Sequence, residues 1–145
     1  MIIIIIGLPG SGKTTYYNNH LKNDYKLYDD FINNFYDGEL INDIINNINI
    51  CIIDPRLCNI NRFNFFLKNF EEYIDRKQIQ LILFQNNKDK CLNNVKLRNT
   101  INCISTIKYL SSIYFIDNYI KIFNIIEIVD IYDLSFEDLK ISSFL

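Results

Sequence analysis

Apolar residues recur along this chain in two rhythms, short unbroken runs and stripes at helical spacing, and the alternation of the two predicts its elements. Ile2 to Ile6 is a continuous β-branched run, the pattern of a strand buried on both faces of a parallel sheet. Comparable short runs follow at 25–28, 50–53, 80–85 and 125–132. They are closed by polar or turn residues such as Asp29-Asp30 and Asp54-Pro55, where the residue before proline is kept out of the helical region. Between the runs the spacing lengthens. Residues 13–22 read as a first helix ended by Asn23-Asp24. Asp37-Gly38 reads as a break before a helix over 39–47, carrying Leu40, Ile41, Ile44, Ile45 and Ile48. Residues 61–76 place Phe63, Phe66, Leu67, Phe70 and Ile74 on one face of an amphipathic helix. Residues 88–119 predict helix in one or two pieces, with Ser111-Ser112 as the interruption. Ser135 as N-cap and Asp138 in the capping-box position predict a short terminal helix.

Strands alternating with helices predict an α/β fold, with about five strands in a parallel sheet and helices on both faces. At 145 residues the chain reads as a single domain, 1–145. Right-handed crossovers bring ligands to the carboxyl ends of the strands. The residues that follow strands therefore carry the chemical interest: Asp29, Asp30, Asp54, Arg56, Gln85 and Asn86.

The first strand runs into Gly7-Leu8-Pro9-Gly10-Ser11-Gly12-Lys13-Thr14, which matches G-x-x-x-x-G-K-[ST] at every fixed position between a strand and a helix, the context that motif needs. Three glycines let successive N–H groups turn toward a phosphate, and the helix beginning at Lys13 adds the positive end of its dipole. Pro9 stiffens the loop without removing a donor if it faces away from the phosphates. The expected triphosphate contacts are Gly7, Leu8, Pro9, Gly10, Ser11, Gly12, Lys13, Thr14 and Thr15. Lys13 is expected on the β- and γ-phosphates and Thr14 on a bridging Mg²⁺. ATP and Mg²⁺ are thus the expected cofactors.

Composition narrows the setting. The net charge of −2 argues against a broad nucleic-acid footprint. Isoleucine and asparagine are over-used, and alanine and tryptophan are absent, a coding bias that dilutes any argument from Asn or Lys clusters. Cys51, Cys58, Cys91 and Cys103 form no C-x-x-C pair and lie in or beside apolar runs, as reduced core thiols do. No run reaches membrane length without a charge, so a soluble, cytoplasmic protein is expected, with no membrane partner.

Asp54 ends a strand as a magnesium-supporting aspartate would, or else begins a plain Asp-Pro turn. Of Asp29 and Asp30, one faces the nucleotide as a general base for an acceptor hydroxyl and the other caps the next helix, or both are caps. Lys88, Lys90, Lys96 and Arg98 follow the fourth strand, where a lid would close, and Arg98 suits planar phosphate contact. Asn87-Lys88-Asp89-Lys90 lacks the last aspartate of a guanine-reading N-K-x-D, and Asp54 opens no D-x-x-G switch. His20, on the first helix, reads as a surface or packing residue.

The combination resembles the P-loop kinases related to polynucleotide 5′-kinase and the zeta-toxin-like phosphotransferases. It rests on the glycine-rich loop, on Tyr28-Asp29-Asp30-Phe31, on Ile50-Cys51-Ile52-Ile53-Asp54 and on 91–98 as an arginine-bearing lid helix. The resemblance implies a three-layer P-loop NTPase fold, Asp29 as general base, and transfer of the γ-phosphoryl of ATP to a hydroxyl acceptor, either a nucleic-acid 5′ end or a small molecule. The chain departs from that pattern in having Ile32 where polynucleotide kinases carry an arginine, Asp54-Pro55-Arg56 for Asp-x-Asn, and Asn93 and Asn94 where a lid arginine is usual. Arg56 is a candidate for the missing charge. A nucleotide-binding regulatory protein without transfer is the alternative expectation.

Overall fold

Five consecutive isoleucines side by side on one strand need apolar cover above and below, and β1 (Ile2–Ile6) has it, with every residue buried. Each such side chain contributes roughly 1.5–3 kcal/mol of burial. A computed structural model describes residues 1–30 and 37–132. Around β1 stand β2 (Lys26–Asp29), β3 (Ile50–Ile53), β4 (Ile79–Phe84) and β5 (Asn124–Val129), in the order β2-β3-β1-β4-β5. All four pairings are parallel. The expected α/β class and five-stranded parallel sheet are borne out.

The helices are α1 (Lys13–His20), α2 (Asp37–Ile45), α3 (Ile60–Phe70), α4 (Lys88–Leu97), α5 (Ile104–Ile113) and α6 (Asp117–Ile120). The predicted stripe of α3 is the buried one, Phe63, Phe66, Leu67 and Phe70, joined by Ile74 beyond its end. The helix stops earlier than predicted because the chain turns back on itself, with the Tyr73 and Ile74 amides both donating to the Phe70 carbonyl. α2 begins two residues before its predicted start and takes in Gly38, and its stripe is narrower, with Leu40 buried but Ile45 and Ile48 exposed.

The predicted 88–119 helix is three helices, and the breaks do not fall at Ser111-Ser112. Those hydroxyls donate back to the Lys108 and Tyr109 carbonyls at 3.0 and 2.6 Å and stay inside α5. The first break is at Asn99, whose φ of +59 ends α4. The Thr100 amide reaches Val95 and the Asn99 amide reaches Lys96, the paired bonds of a left-handed helix stop. β5 also ends sooner than predicted, at Val129, so Tyr132 lies beyond the sheet. The predicted helix after Ser135, Ile32, and any cap that Asp30 makes on the segment after it lie outside the described residues.

Among the described residues no helix is long and apolar enough to cross a membrane. Register sets up the site. Ile5 pairs with Ile53, and Ile53 with Asp29, so β1, β3 and β2 end nearly level. The chain leaves β1 toward β2 on one side and leaves β3 toward β4 on the other, which opens a crevice at the carboxyl ends.

Candidate functional site

The loop that follows β1 is shaped by its glycines. Gly10 and Gly12 have φ of +81 and +101, a region that side chains rarely adopt. Both are also approached closely. A Cβ on Gly10 would lie 2.7 Å from the Cys91 carbonyl oxygen of α4, and one on Gly12 would enter the Tyr132 ring. Gly12 caps α1 without any side-chain acceptor, and the first turn of α1 has no acidic residue. The amides that open this helix therefore present their positive partial charge to whatever lies in front of them.

In front of them is a cavity of about 170 Å³, lined by Gly10, Gly12, Lys13, Thr14 and Thr15 from the loop and α1. Asp29 from the end of β2, Ile53 and Pro55 from the end of β3, and Arg98 from the end of α4 complete the lining. The space is small beside the roughly 300–1,000 Å³ of a drug-sized pocket.

Lys13 is buried, and its ammonium donates to the Gly7 carbonyl at 2.8 Å, the Leu8 carbonyl at 2.7 Å and the Ser11 hydroxyl at 3.4 Å. Burial holds its pKa below the ordinary lysine value, against the pull of Cys58, Cys91, Asp29 and Asp54. A buried cation beside a cavity gains from any anion placed there.

Asp29 and Asp30 do take different directions, as adjacent strand residues must. Asp29 lines the cavity, and its carboxylate accepts from the Asp30 amide at 2.9 Å. Asp30, at a φ of +48, turns to Arg56 instead. Asp54 is fully buried and is not among the lining residues. It caps the turn Pro55–Cys58, accepting from the Arg56 amide at 2.9 Å and from the Arg56 guanidinium at 3.1 and 3.3 Å. The same guanidinium donates to Asp30 at 2.8 Å. Arg56 thus bridges two carboxylates from the ends of β2 and β3.

The structure brings Lys13, Thr14, Thr15, Gly10, Gly12, Asp29 and Arg98 to one cavity. Gly7, Leu8, Pro9 and Ser11 shape the loop behind it. Lys88, Lys90 and Lys96 are not in the lining. Gln85 extends the ladder between β4 and β5 by donating its amide to the Val129 carbonyl, and Asn86 donates to the Ser111 and Tyr114 carbonyls, tying off the end of α5. His20 is exposed, its ring 4.6 Å from that of Tyr16 and tilted against it by 47°. Among the described residues no three His, Cys, Asp or Glu side chains converge to hold a metal by themselves.

Two residues hold the loop in ways that their sequence positions do not show. Asn94 is buried and donates to the Gly10 carbonyl at 2.8 Å and to the Tyr132 carbonyl at 2.6 Å. The Tyr132 amide in turn donates to the Ser11 carbonyl at 3.2 Å.

Over 100 residues, 68% of this chain and 72% of the relative, the sequence is 46% identical to "Uncharacterized protein R277" of Acanthamoeba polyphaga mimivirus. The chain belongs to that protein's family. No family model matches the chain.

Proposed function

We propose that this protein is a small magnesium-dependent kinase with a three-layer P-loop NTPase fold, moving the γ-phosphoryl group of ATP to a hydroxyl acceptor. One observation carries the reading. A single cavity gathers the glycine-rich loop, a buried lysine, an uncapped helix start, a carboxylate and an arginine.

Each group has a task in that reaction. Loop amides and the start of α1 take the phosphate oxygens, and the Lys13 ammonium exchanges its loop carbonyls for them. Thr14 would hold Mg²⁺ through its hydroxyl and Asp54 would support the ion, which would supply neutralisation of phosphate charge. Asp29 accepts the proton of the acceptor hydroxyl as its oxygen attacks the γ-phosphorus. The bond from that phosphorus to the β–γ bridging oxygen breaks, and ADP leaves with the electron pair. Arg98, exposed at the end of α4, lies against the transferring group and stabilises its charge.

The acceptor side favours a small hydroxyl compound over a polynucleotide end. Arg56, the candidate for gripping a nucleic-acid phosphate, is already balanced by Asp54 and Asp30. The same pairing favours a second reading, a nucleotide-binding regulatory protein with no transfer, since it leaves Arg98 as the arginine at the cavity. Terminally labelled ATP offered with DNA ends, RNA ends, nucleosides and amino sugars decides between them. A kinase labels one class in a Lys13-dependent way. Label on none of them would overturn the kinase reading.

A further inference from the structure

The loop over the cavity is held from outside as well as by its glycines. Asn94 stands on α4 one helical turn before Arg98, and its amide nitrogen spans two main-chain oxygens, those of Gly10 and Tyr132. Tyr132 completes the circuit by donating its own amide to Ser11. Three segments distant in sequence, the loop, α4 and the chain leaving β5, therefore meet on one buried side chain.

The consequence follows from peptide geometry. A trans peptide is planar, with its C=O and N–H directed oppositely. Holding the Gly10 carbonyl on Asn94 sends the Ser11 amide the other way, where it donates to Leu8 at 3.2 Å. Holding the Ser11 carbonyl on Tyr132 sends the Gly12 amide away from Tyr132. Two successive peptide planes are thus fixed by one clasp, and an anion-binding concavity depends on the planes being set before the ligand arrives.

We propose that Asn94 is a positioning residue for the phosphate-binding loop, acting through Gly10 and Tyr132 and not by touching the ligand. This rests on the phosphate-binding reading above. An amide at this position has the two donors that two carbonyls require. An arginine, usual in the lid of the resembling kinases, is too long for this buried place. The clasp also couples the loop to the helix that carries Arg98.

The test uses Asn94→Asp and Asn94→Ala with magnesium-ATP, titrated calorimetrically beside the wild type at about pH 8 and about pH 5.5. Ionised, the aspartate has no donor and faces two carbonyl oxygens. Protonated, it regains one O–H, and burial among acceptors raises the pH at which that happens. The expected result is affinity weakened about tenfold or more in both variants at the higher pH, with recovery on acidification, relative to the wild type, in Asn94→Asp alone. A wild type that binds while both variants match it within twofold at both pH values would overturn the proposal. Should Asn94→Asp not fold at the higher pH, Asn94→Ala, which buries no charge, carries the affinity comparison. Amide exchange over residues 7–15 in the ligand-free wild type and Asn94→Ala keeps the two ideas apart. Lost protection there in the variant supports the clasp even if the wild type binds no triphosphate, which would sink the phosphate reading by itself. Unchanged protection overturns the clasp.

Discussion

The Lys13 ammonium donates at 2.8 Å to the carbonyl oxygen of Gly7, the residue that opens the loop Lys13 closes. Burial lowers its pKa in the folded chain, while the unfolded chain titrates near about 10.4. Between those two values the folded state holds fewer protons than the unfolded one, so stability from this residue rises with pH across that window. Wild type should therefore gain on Lys13→Met as pH is raised from about 7 to about 10 in urea unfolding. Parallel pH dependences for the two proteins would contradict the lowered pKa.

Asp29 shares its cavity with Thr14 and Arg98. Asp29→Asn keeps the shape and removes the base. Transfer should fall by about a hundredfold or more, with ATP affinity unchanged by calorimetry. Equal transfer rates would take Asp29 out of the mechanism.

The sequence made much of this arrangement legible, and the reasons differ from residue to residue. Ile2 to Ile6 announced a doubly covered strand because a β-branched run of that length has few other uses. Asp29 could be anticipated because parallel topology collects the carboxyl ends of strands in one place, and Arg98 because the segment after the fourth strand reads as a lid and a guanidinium suits planar phosphate contact. The pairing of Asp54 with Arg56 was half visible, since Asp-Pro turns invite a cap, whereas the contribution of Asp30 needs its positive φ, which no residue pattern shows. Asn94 stood out only as a missing lid arginine, because its hold on the Gly10 and Tyr132 carbonyls joins segments that no sequence pattern connects. Tyr132 was placed in the last strand because its apolar run continues past Val129, where pairing with β4 stops.

Arg56 neutralises Asp54, which is fully buried, while itself remaining part-exposed. Arg56→Ala leaves that carboxylate with its turn amide and without its guanidinium partner. The expected cost is about 1–3 kcal/mol, read as a lower urea midpoint at unchanged slope. A midpoint within error of the wild type would show that the bridge between β2 and β3 adds nothing net.

Burial pushes the thiols of Cys51 and Cys58 up to about 12 and that of Cys91 up to about 11. Cys103 is part-exposed. Thiolate is the reactive form, so iodoacetamide at about pH 8 should label Cys103 well before the other three in the native protein. Mass spectrometry after brief labelling reads the order. Early modification of Cys58 or Cys91, which lie closely enough to Lys13 to influence its charge, would mean that the core around Lys13 opens.

The account turns on whether the loop and Lys13 hold a triphosphate. Isothermal titration of the full chain with ATP in excess Mg²⁺ should give saturable heat with one site per chain, and Lys13→Ala should abolish it while remaining folded by circular dichroism. A wild type that gives no heat with any nucleoside triphosphate, or a Lys13→Ala variant that binds as well as the wild type, would contradict it.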